Sequence, residues 1–171
     1  MILNNLFYIV FAFVVIQRLV ELMISKHNEG WLLSRRAVEY GASHYKFIVM
    51  LHTFFFLSLF LEYNFSDRHK ELNTINYSFL VFFILLQFMR VWVLVSLGKF
   101  WNTKIYRIKG RDLVKKGPYR FLKHPNYIVV VLEILVLPLI FNLYYTAVIF
   151  TILNAVMLSV RIKEENRVLN F

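Results

Sequence analysis

Two polar segments carry residues that could bind a charged ligand. The first, Gly117–Tyr127, contains Lys123-His124-Pro125 directly before an apolar run. A residue before proline avoids the helical region and proline suits the first helical position, so we expect a helix to begin at Pro125. Free backbone N–H groups there, with cationic side chains nearby, could bind a carboxylate or phosphate. The same pattern also fits a basic anchor at a membrane surface.

The second segment, Arg161–Arg167, contains the adjacent carboxylates Glu164 and Glu165. Adjacent side chains on a helix point about 100° apart, so one carboxylate can face a ligand while the other faces solvent. Such a carboxylate could meet a cationic or hydroxyl-rich ligand. The spacing also fits weak ion pairs on a solvated helix, from Arg161 to Glu165 and from Glu164 to Arg167.

The composition requires lipid around the chain. Hydrophobic residues make up 59%, against roughly 45–50% in a soluble domain. The net charge is +10, but the basic residues flank apolar runs, so they fit anionic lipid and exclude nucleic acid as the expected partner. There is no cysteine, and His44 and His52 stand without a ligand cluster, so we expect no metal site.

The apolar runs predict a single-domain, all-α integral membrane protein with about five transmembrane helices. A span needs roughly 20 apolar residues, and open strands cannot satisfy their edges in lipid. The last two segments are separated only by Asn142, which predicts a tight helical hairpin, followed by a short cytoplasmic C-terminal helix. The first segment lacks the basic start and cleavage site of a signal peptide, so we expect a retained helix. The segments are Ile2–Ile24, Phe47–Tyr63, Tyr77–Leu97, Tyr127–Phe141 and Leu143–Val160.

Charge bias predicts the orientation. Most of the 20 lysines and arginines lie in residues 26–46, in residues 99–123 and after Val160, whereas Arg68 and Lys70 alone separate the second and third segments. The positive-inside rule makes the richer side cytoplasmic, which puts the N-terminus outside and the C-terminus inside. Both polar segments then share the cytoplasmic face.

Ionisable groups within the apolar segments are costly in lipid and suggest either function or structural pairing. Arg18 and Glu21 lie three residues apart and could neutralise each other. In the predicted hairpin, Glu133 would lie near Thr151 and Asn154, where a hydrogen bond could hold the two helices together. No glycine-rich phosphate loop, dinucleotide fingerprint or nucleophile elbow is present in the sequence.

The polar motifs resemble the isoprenylcysteine carboxyl methyltransferase family, whose members are integral-membrane enzymes that use S-adenosylmethionine. The similarity rests on Gly117-Pro118-Tyr119-Arg120, Lys123-His124-Pro125-Asn126-Tyr127, Arg161-Ile162 and Glu164-Glu165. It is strongest over Leu97–Leu169. The family's usual arginine before His-Pro is Lys123, and its glycine after the motif is replaced by Ile128-Val129. The front half looks like a short bacterial branch, similar to alkylpyrone O-methyltransferases.

The resemblance implies that residues 98–171 bind S-adenosylmethionine. Its carboxylate would lie near His124, its adenine near Leu113 and Val114, and its ammonium or ribose near Glu165. The implied cofactor-binding residues are Leu113, Val114, Tyr119, His124, Pro125, Tyr127, Glu164 and Glu165. The candidate acceptor-binding residues are Arg18, Glu39, Arg90, Glu133, Asn154 and Arg161.

The implied reaction is in-line methyl transfer to a lipophilic acceptor, either a prenylcysteine-like carboxylate or an alkylpyrone-like hydroxyl. A hydroxyl acceptor could need a base, for which Glu21, His44 and Glu39 are candidates. The candidate catalytic residues are Glu21, His44 and Glu165. Two other interpretations stay open. A sterol-reductase-type membrane enzyme would bind NADPH, and a non-enzymatic scaffold would bind no cofactor and depend on its loop lysines. The oligomeric state has no signal in the sequence.

Overall fold

The computed structural model describes residues 2–66 and 72–169 and is almost entirely helical. Arg68 and Lys70, which entered the orientation argument, lie outside the described residues. Single 3₁₀ turns cover Gly98–Phe100 and Gly117–Arg120. The helices are α1 (Ile2–Ser34), α2 (Ala42–Phe65), α3 (Thr74–Leu97), α4 (Pro125–Leu139) and α5 (Tyr144–Leu169), and the strands are β1 (Val38–Tyr40) and β2 (Ile105–Arg107).

Four helices in the described ranges are long and apolar enough to cross a membrane: α1, α2, α3 and α5. The chain is therefore a multi-pass membrane protein. Helix α4 has only 15 residues, which gives about 22 Å against a hydrocarbon thickness of about 30 Å. The prediction of five spans, with the last two as a transmembrane hairpin, is not confirmed.

Helix α4 is apolar because it forms part of the protein core. It packs against α3 and α5, and most of its side chains are buried, including Val129 and Ile134. A helix that is hydrophobic on all sides can be surrounded by protein as well as by lipid. Hydropathy alone does not distinguish these two environments, so the apolar run that forms α4 does not by itself establish a fifth span.

The C-terminal polar segment does not form a separate helix. Helix α5 runs without a break from Tyr144 to Leu169, so the prediction of a short additional helix is wrong. No glycine or proline interrupts the chain between the apolar part and Arg161. Continuity of α5 fixes Glu164 and Glu165 rigidly to the membrane-embedded part of the helix.

The two strands join connectors that are distant in sequence. β1 and β2 pair antiparallel, with Glu39 opposite Tyr106. The expectation of no strands concerned segments in lipid, whereas this ladder links the α1–α2 connector to the α3–α4 connector. The end of α5 also packs on both strands. The basic connectors and the C-terminal polar segment therefore lie on the same side of the molecule.

Gly117 allows the turn before α4 to approach α3. Its φ is +52°, and a Cβ atom at this position would clash with the Ser96 hydroxyl. Gly110 has a φ of +75° but open space around it. We expect Gly117→Ala to lower the melting temperature in detergent more than Gly110→Ala, because the second change adds only backbone strain of about 1–2 kcal/mol. Equal melting temperatures for the two variants would show that the contact with Ser96 is unimportant.

Candidate functional site

The site is built around the start of α4. The helix begins at Pro125, as predicted, with His124 immediately before it. His124 Nε2 lies 2.8 Å from Asn166 Oδ1 on α5. The His124 ring also stacks on Tyr127, with the ring centres 5.3 Å apart. These contacts hold His124 against both helices.

Tyr127 joins the two polar segments through its hydroxyl group. This hydroxyl donates a hydrogen bond to the Glu165 carboxylate and accepts one of 2.7 Å from Arg161 Nε. His124 Nδ1 lies 3.8 Å from Glu165 Oε2. Arg161 Nη2 donates to the Thr103 carbonyl oxygen at 2.6 Å. The two polar segments, which were expected to share one face, are thus in direct contact.

A polar cavity of about 160 Å³ opens beside this network. Pro125, the first residue of α4, is buried and does not line this cavity. Glu164 lies outside the cavity and pairs with Arg167 at 2.6 Å. Six of the eight sequence-predicted cofactor residues line the cavity: Leu113, Val114, Tyr119, His124, Tyr127 and Glu165.

The polar cavity presents both signs of charge and an apolar wall. Glu165 supplies a carboxylate, while Lys123 and His124 line the cavity nearby. Burial and the neighbouring Glu165 carboxylate raise the pKa of Tyr119, so its hydroxyl stays protonated and can donate a hydrogen bond. Leu113 and Val114 provide apolar surface. The arrangement suits a zwitterionic ligand with a flat apolar part.

An apolar cavity of about 270 Å³ lies next to the polar one. Its apolar lining includes Val15 and Leu19 of α1 and Val49 and Phe56 of α2. Four residues line both cavities, and we call them the shared wall: Trp101, Asn126, Tyr127 and Arg161. Groups bound in the two cavities would meet at this wall.

Four charged residues form a buried cluster at the apolar cavity. Arg18 donates to Glu21 at 2.9 Å and to Glu133 at 2.6 Å. Arg90 contacts the same two carboxylates, with Nη2 lying 2.9 Å from Glu21 Oε2. The predicted pairing of Arg18 with Glu21 is confirmed as half of this larger cluster. Arg18, Glu21 and Arg90 line the cavity, but both oxygens of Glu21 are already hydrogen-bonded.

The hydrogen bonds of Glu133 differ from those expected in a hairpin. It is 4% exposed and bonds to Arg18, Arg90 and Gln87. The hydrogen bond expected with Thr151 or Asn154 is not formed among the residues described, because Glu133 pairs with residues of α1 and α3 instead. The Asn154 amide nitrogen is buried and has no partner among the residues described. The sequence predicts where Glu133 lies along α4, but not which neighbouring helix its side chain faces.

A third cleft, of about 10 Å³, contains three further predicted site residues. Glu39, His44 and Glu164 line this cleft and neither of the larger cavities. Glu39 accepts a 3.0 Å hydrogen bond from the Tyr106 hydroxyl and lies 3.4 Å from Lys104 Nζ. The cleft meets the shared wall only at Arg161, and these three residues do not line either larger cavity.

Sequence reasoning assigned no binding role to Asn126, Trp101 or His52, which line the larger cavities. Asn126 lies inside the motif but was not assigned a role, and Trp101 has no sequence signal beyond its position after α3. His52 lines the apolar cavity, with Nδ1 2.9 Å from the carbonyl oxygen of Ile48. A neutral His52 therefore carries its proton on Nδ1, because the carbonyl can only accept.

Comparison with known proteins gives the family. A sequence model of the isoprenylcysteine carboxyl methyltransferase (ICMT) family matches residues 79–171. "Uncharacterized protein YpbQ" of Bacillus subtilis (strain 168) is 42% identical over 164 residues, which cover 96% of each chain. An "Uncharacterized protein" of Haemophilus influenzae is 27% identical over 159 residues, covering 92% of this chain and 91% of that one. No solved structure matches the chain. The chain belongs to the isoprenylcysteine carboxyl methyltransferase family.

Proposed function

We propose that this membrane protein transfers a methyl group from S-adenosylmethionine to an oxygen atom of a lipophilic acceptor. The observation that carries the proposal is the shared wall. It separates a polar cavity, lined by six implied cofactor residues, from an apolar cavity that reaches between the helices. Family membership supports the reaction class, because the family in general depends on S-adenosylmethionine.

The side chains of the polar cavity fit the cofactor's chemical groups. Glu165 would bind the ammonium or the ribose hydroxyls, and Leu113 with Val114 would pack beside the adenine. His124 and the start of α4 would bind the carboxylate of the cofactor. When bound, S-adenosylmethionine supplies a methyl group that its sulfonium has already activated for displacement.

The protein's own contribution is to orient the reactants and exclude water. Tyr127 is held from both sides, by Glu165 and by Arg161, so its hydroxyl has a fixed position in the shared wall. This network would orient the cofactor in the polar cavity towards the acceptor in the apolar cavity. Candidate acceptors are a prenylcysteine-like carboxylate and an alkylpyrone-like hydroxyl.

The acceptor would enter from the lipid between α1 and α2. Leu19 on α1 and Val49 on α2 both line the apolar cavity, yet they are 55% and 43% exposed on the helix surfaces. The mouth of the cavity is therefore apolar and lateral. The cofactor would enter from the side that carries the basic connectors, which we assign to the cytoplasm by the positive-inside rule.

Label transfer tests the activity even while the acceptor is unidentified. Purified protein is incubated with lipid extract and methyl-labelled S-adenosylmethionine, and the lipids are analysed by mass spectrometry. We expect the label in a lipophilic species with a new O-methyl group, and none with the Glu165→Ala variant. Absence of any labelled lipid with wild-type protein would contradict the activity. A labelled product that Glu165→Ala forms equally well would contradict the site.

A further inference from the structure

Two polar groups in the shared wall have no hydrogen-bond partner among the residues that the structure describes. The indole nitrogen of Trp101 and the side-chain oxygen of Asn126 are both buried and unpaired in residues 2–66 and 72–169. Trp101 is only 3% exposed. A buried polar group without a partner costs about 1–3 kcal/mol, so two of them at one place suggest a ligand that would pair with them. The other two members of the wall, Tyr127 and Arg161, already bond to each other.

We propose that Trp101 and Asn126 bind the reacting oxygen of the acceptor. This inference rests on the proposed function, which requires the acceptor oxygen to lie where the two cavities meet. Trp101 and Asn126 are the unpaired members of the wall at that place. The indole N–H is a donor only, and rotation of the Asn126 amide by 180° would present its N–H₂ group at almost unchanged shape.

The charges at the wall indicate an oxygen that is already ionised. Among described residues that line both cavities, none is a carboxylate or an imidazole, while Arg161 supplies a positive charge. Other titratable groups that line the apolar cavity are Glu21, Arg18, Arg90 and His52. Glu21 is hydrogen-bonded to both arginines, and none of these four residues lines the polar cavity. The Glu165 carboxylate bonds to the wall through the Tyr127 hydroxyl and lines the polar cavity, where the proposed function assigns it to the cofactor. Hydrogen-bond donors such as those of Trp101 and Asn126 stabilise an anion and do not take up a proton.

The transfer step balances without a base. The lone pair of the ionised oxygen forms the bond to the methyl carbon as the carbon–sulfur bond breaks, and that bond's electron pair goes to sulfur, which becomes neutral. No proton moves. The negative charge disappears from the acceptor, so the donors of Trp101 and Asn126 hold the substrate more tightly than the methylated product.

The test compares an ionised acceptor with its methylated form by equilibrium binding. The probes are 6-undecyl-4-hydroxy-2-pyrone and its 4-methyl ether, and S-farnesyl-N-acetylcysteine and its methyl ester, titrated at pH 8 onto protein saturated with S-adenosylhomocysteine. We expect wild-type protein to bind at least one ionised probe about tenfold or more tightly than its methylated partner. Trp101→Phe and Asn126→Leu should each reduce that preference several-fold and leave the affinity of the methylated probe unchanged.

Matched controls separate this inference from the proposed function. Trp92→Phe changes a tryptophan that is half-exposed on α3 and lines neither cavity, so it should behave as wild type. S-adenosylhomocysteine affinity, measured first, should change less than about threefold in Trp101→Phe and Asn126→Leu, and it also reports folding. If Trp101→Phe does not fold, benzothienylalanine at position 101 keeps the ring size and removes only the N–H.

Each remaining outcome is decisive. An undiminished preference in both variants, or no preference in the wild type, would overturn the role of Trp101 and Asn126 while leaving cofactor binding intact. A parallel loss of S-adenosylhomocysteine affinity would assign the two residues to the cofactor cavity. Failure of wild-type protein to bind S-adenosylhomocysteine would instead remove the proposed function itself.

Discussion

Replacing Glu165 by alanine is expected to weaken S-adenosylhomocysteine binding more than about 100-fold. The Glu165 carboxylate lines the polar cavity, accepts the Tyr127 hydroxyl hydrogen bond and lies 3.8 Å from His124 Nδ1. Its loss removes the negative charge proposed to meet the cofactor's ammonium or ribose. It also leaves Tyr127 without its acceptor. A charge-assisted hydrogen bond contributes about 1.5–3 kcal/mol, and the disturbed network adds to that loss.

Glu164→Ala is the matched comparison, one position away on the same helix. Its carboxylate lies outside the polar cavity and pairs with Arg167, which is 73% exposed, so the change should alter affinity less than about threefold. Isothermal titration of both variants assigns the cofactor role to one of the two glutamates. Wild-type affinity in Glu165→Ala, or a larger loss in Glu164→Ala, would contradict the assignment made from the cavity.

Replacing Arg90 by methionine is expected to destabilise the fold by about 3–5 kcal/mol, because a buried charge loses its partner. Arg90 is 3% exposed and bonds to Glu21 and Glu133, which would then share only Arg18. Helices α1, α3 and α4 meet at this cluster, so its disruption affects the core and the apolar cavity together. The measurement is thermal unfolding in detergent, followed by loss of the folded peak in gel filtration.

Two further variants identify the cause of this loss. The double variant Arg90→Met with Glu133→Gln removes one charge of each sign and should recover part of the stability. Lys104→Met removes the ion pair between Lys104 and Glu29, whose side chains are 24% and 26% exposed, respectively. This change should lower the free energy of unfolding by less than about 1 kcal/mol. If Arg90→Met unfolds at the wild-type temperature, the buried cluster is not a structural link between the helices.

The sequence predicts the parts of this fold that have local signals. Proline after His124 defines where α4 begins, and long apolar runs define α1, α2, α3 and α5. Charge bias predicts that the His-Pro segment and Glu165 share one face, whereas their direct contact is seen only in the structure. Hydropathy does not show that α4 is covered by protein, so it does not establish a fifth span.

Direction and distance across the fold are not available from a single sequence. The depth of Glu133 follows from its position in the chain, but its contact with Arg18 depends on how α4 is rotated against α1. Likewise, the sequence analysis names His44 and Glu39 as candidate bases, yet the structure places them in the third cleft, beside the strand pair. Trp101 becomes a candidate only when its unpaired N–H and its place between two cavities are known.

The most direct test of the central claim is calorimetric titration of purified wild-type protein with S-adenosylhomocysteine and, separately, with NADPH. The account predicts saturable binding of one S-adenosylhomocysteine per chain, lost in Glu165→Ala and retained in Glu164→Ala, with no binding of NADPH. Binding of NADPH in place of S-adenosylhomocysteine would favour a reductase. Absence of binding by either would contradict a cofactor site in the polar cavity.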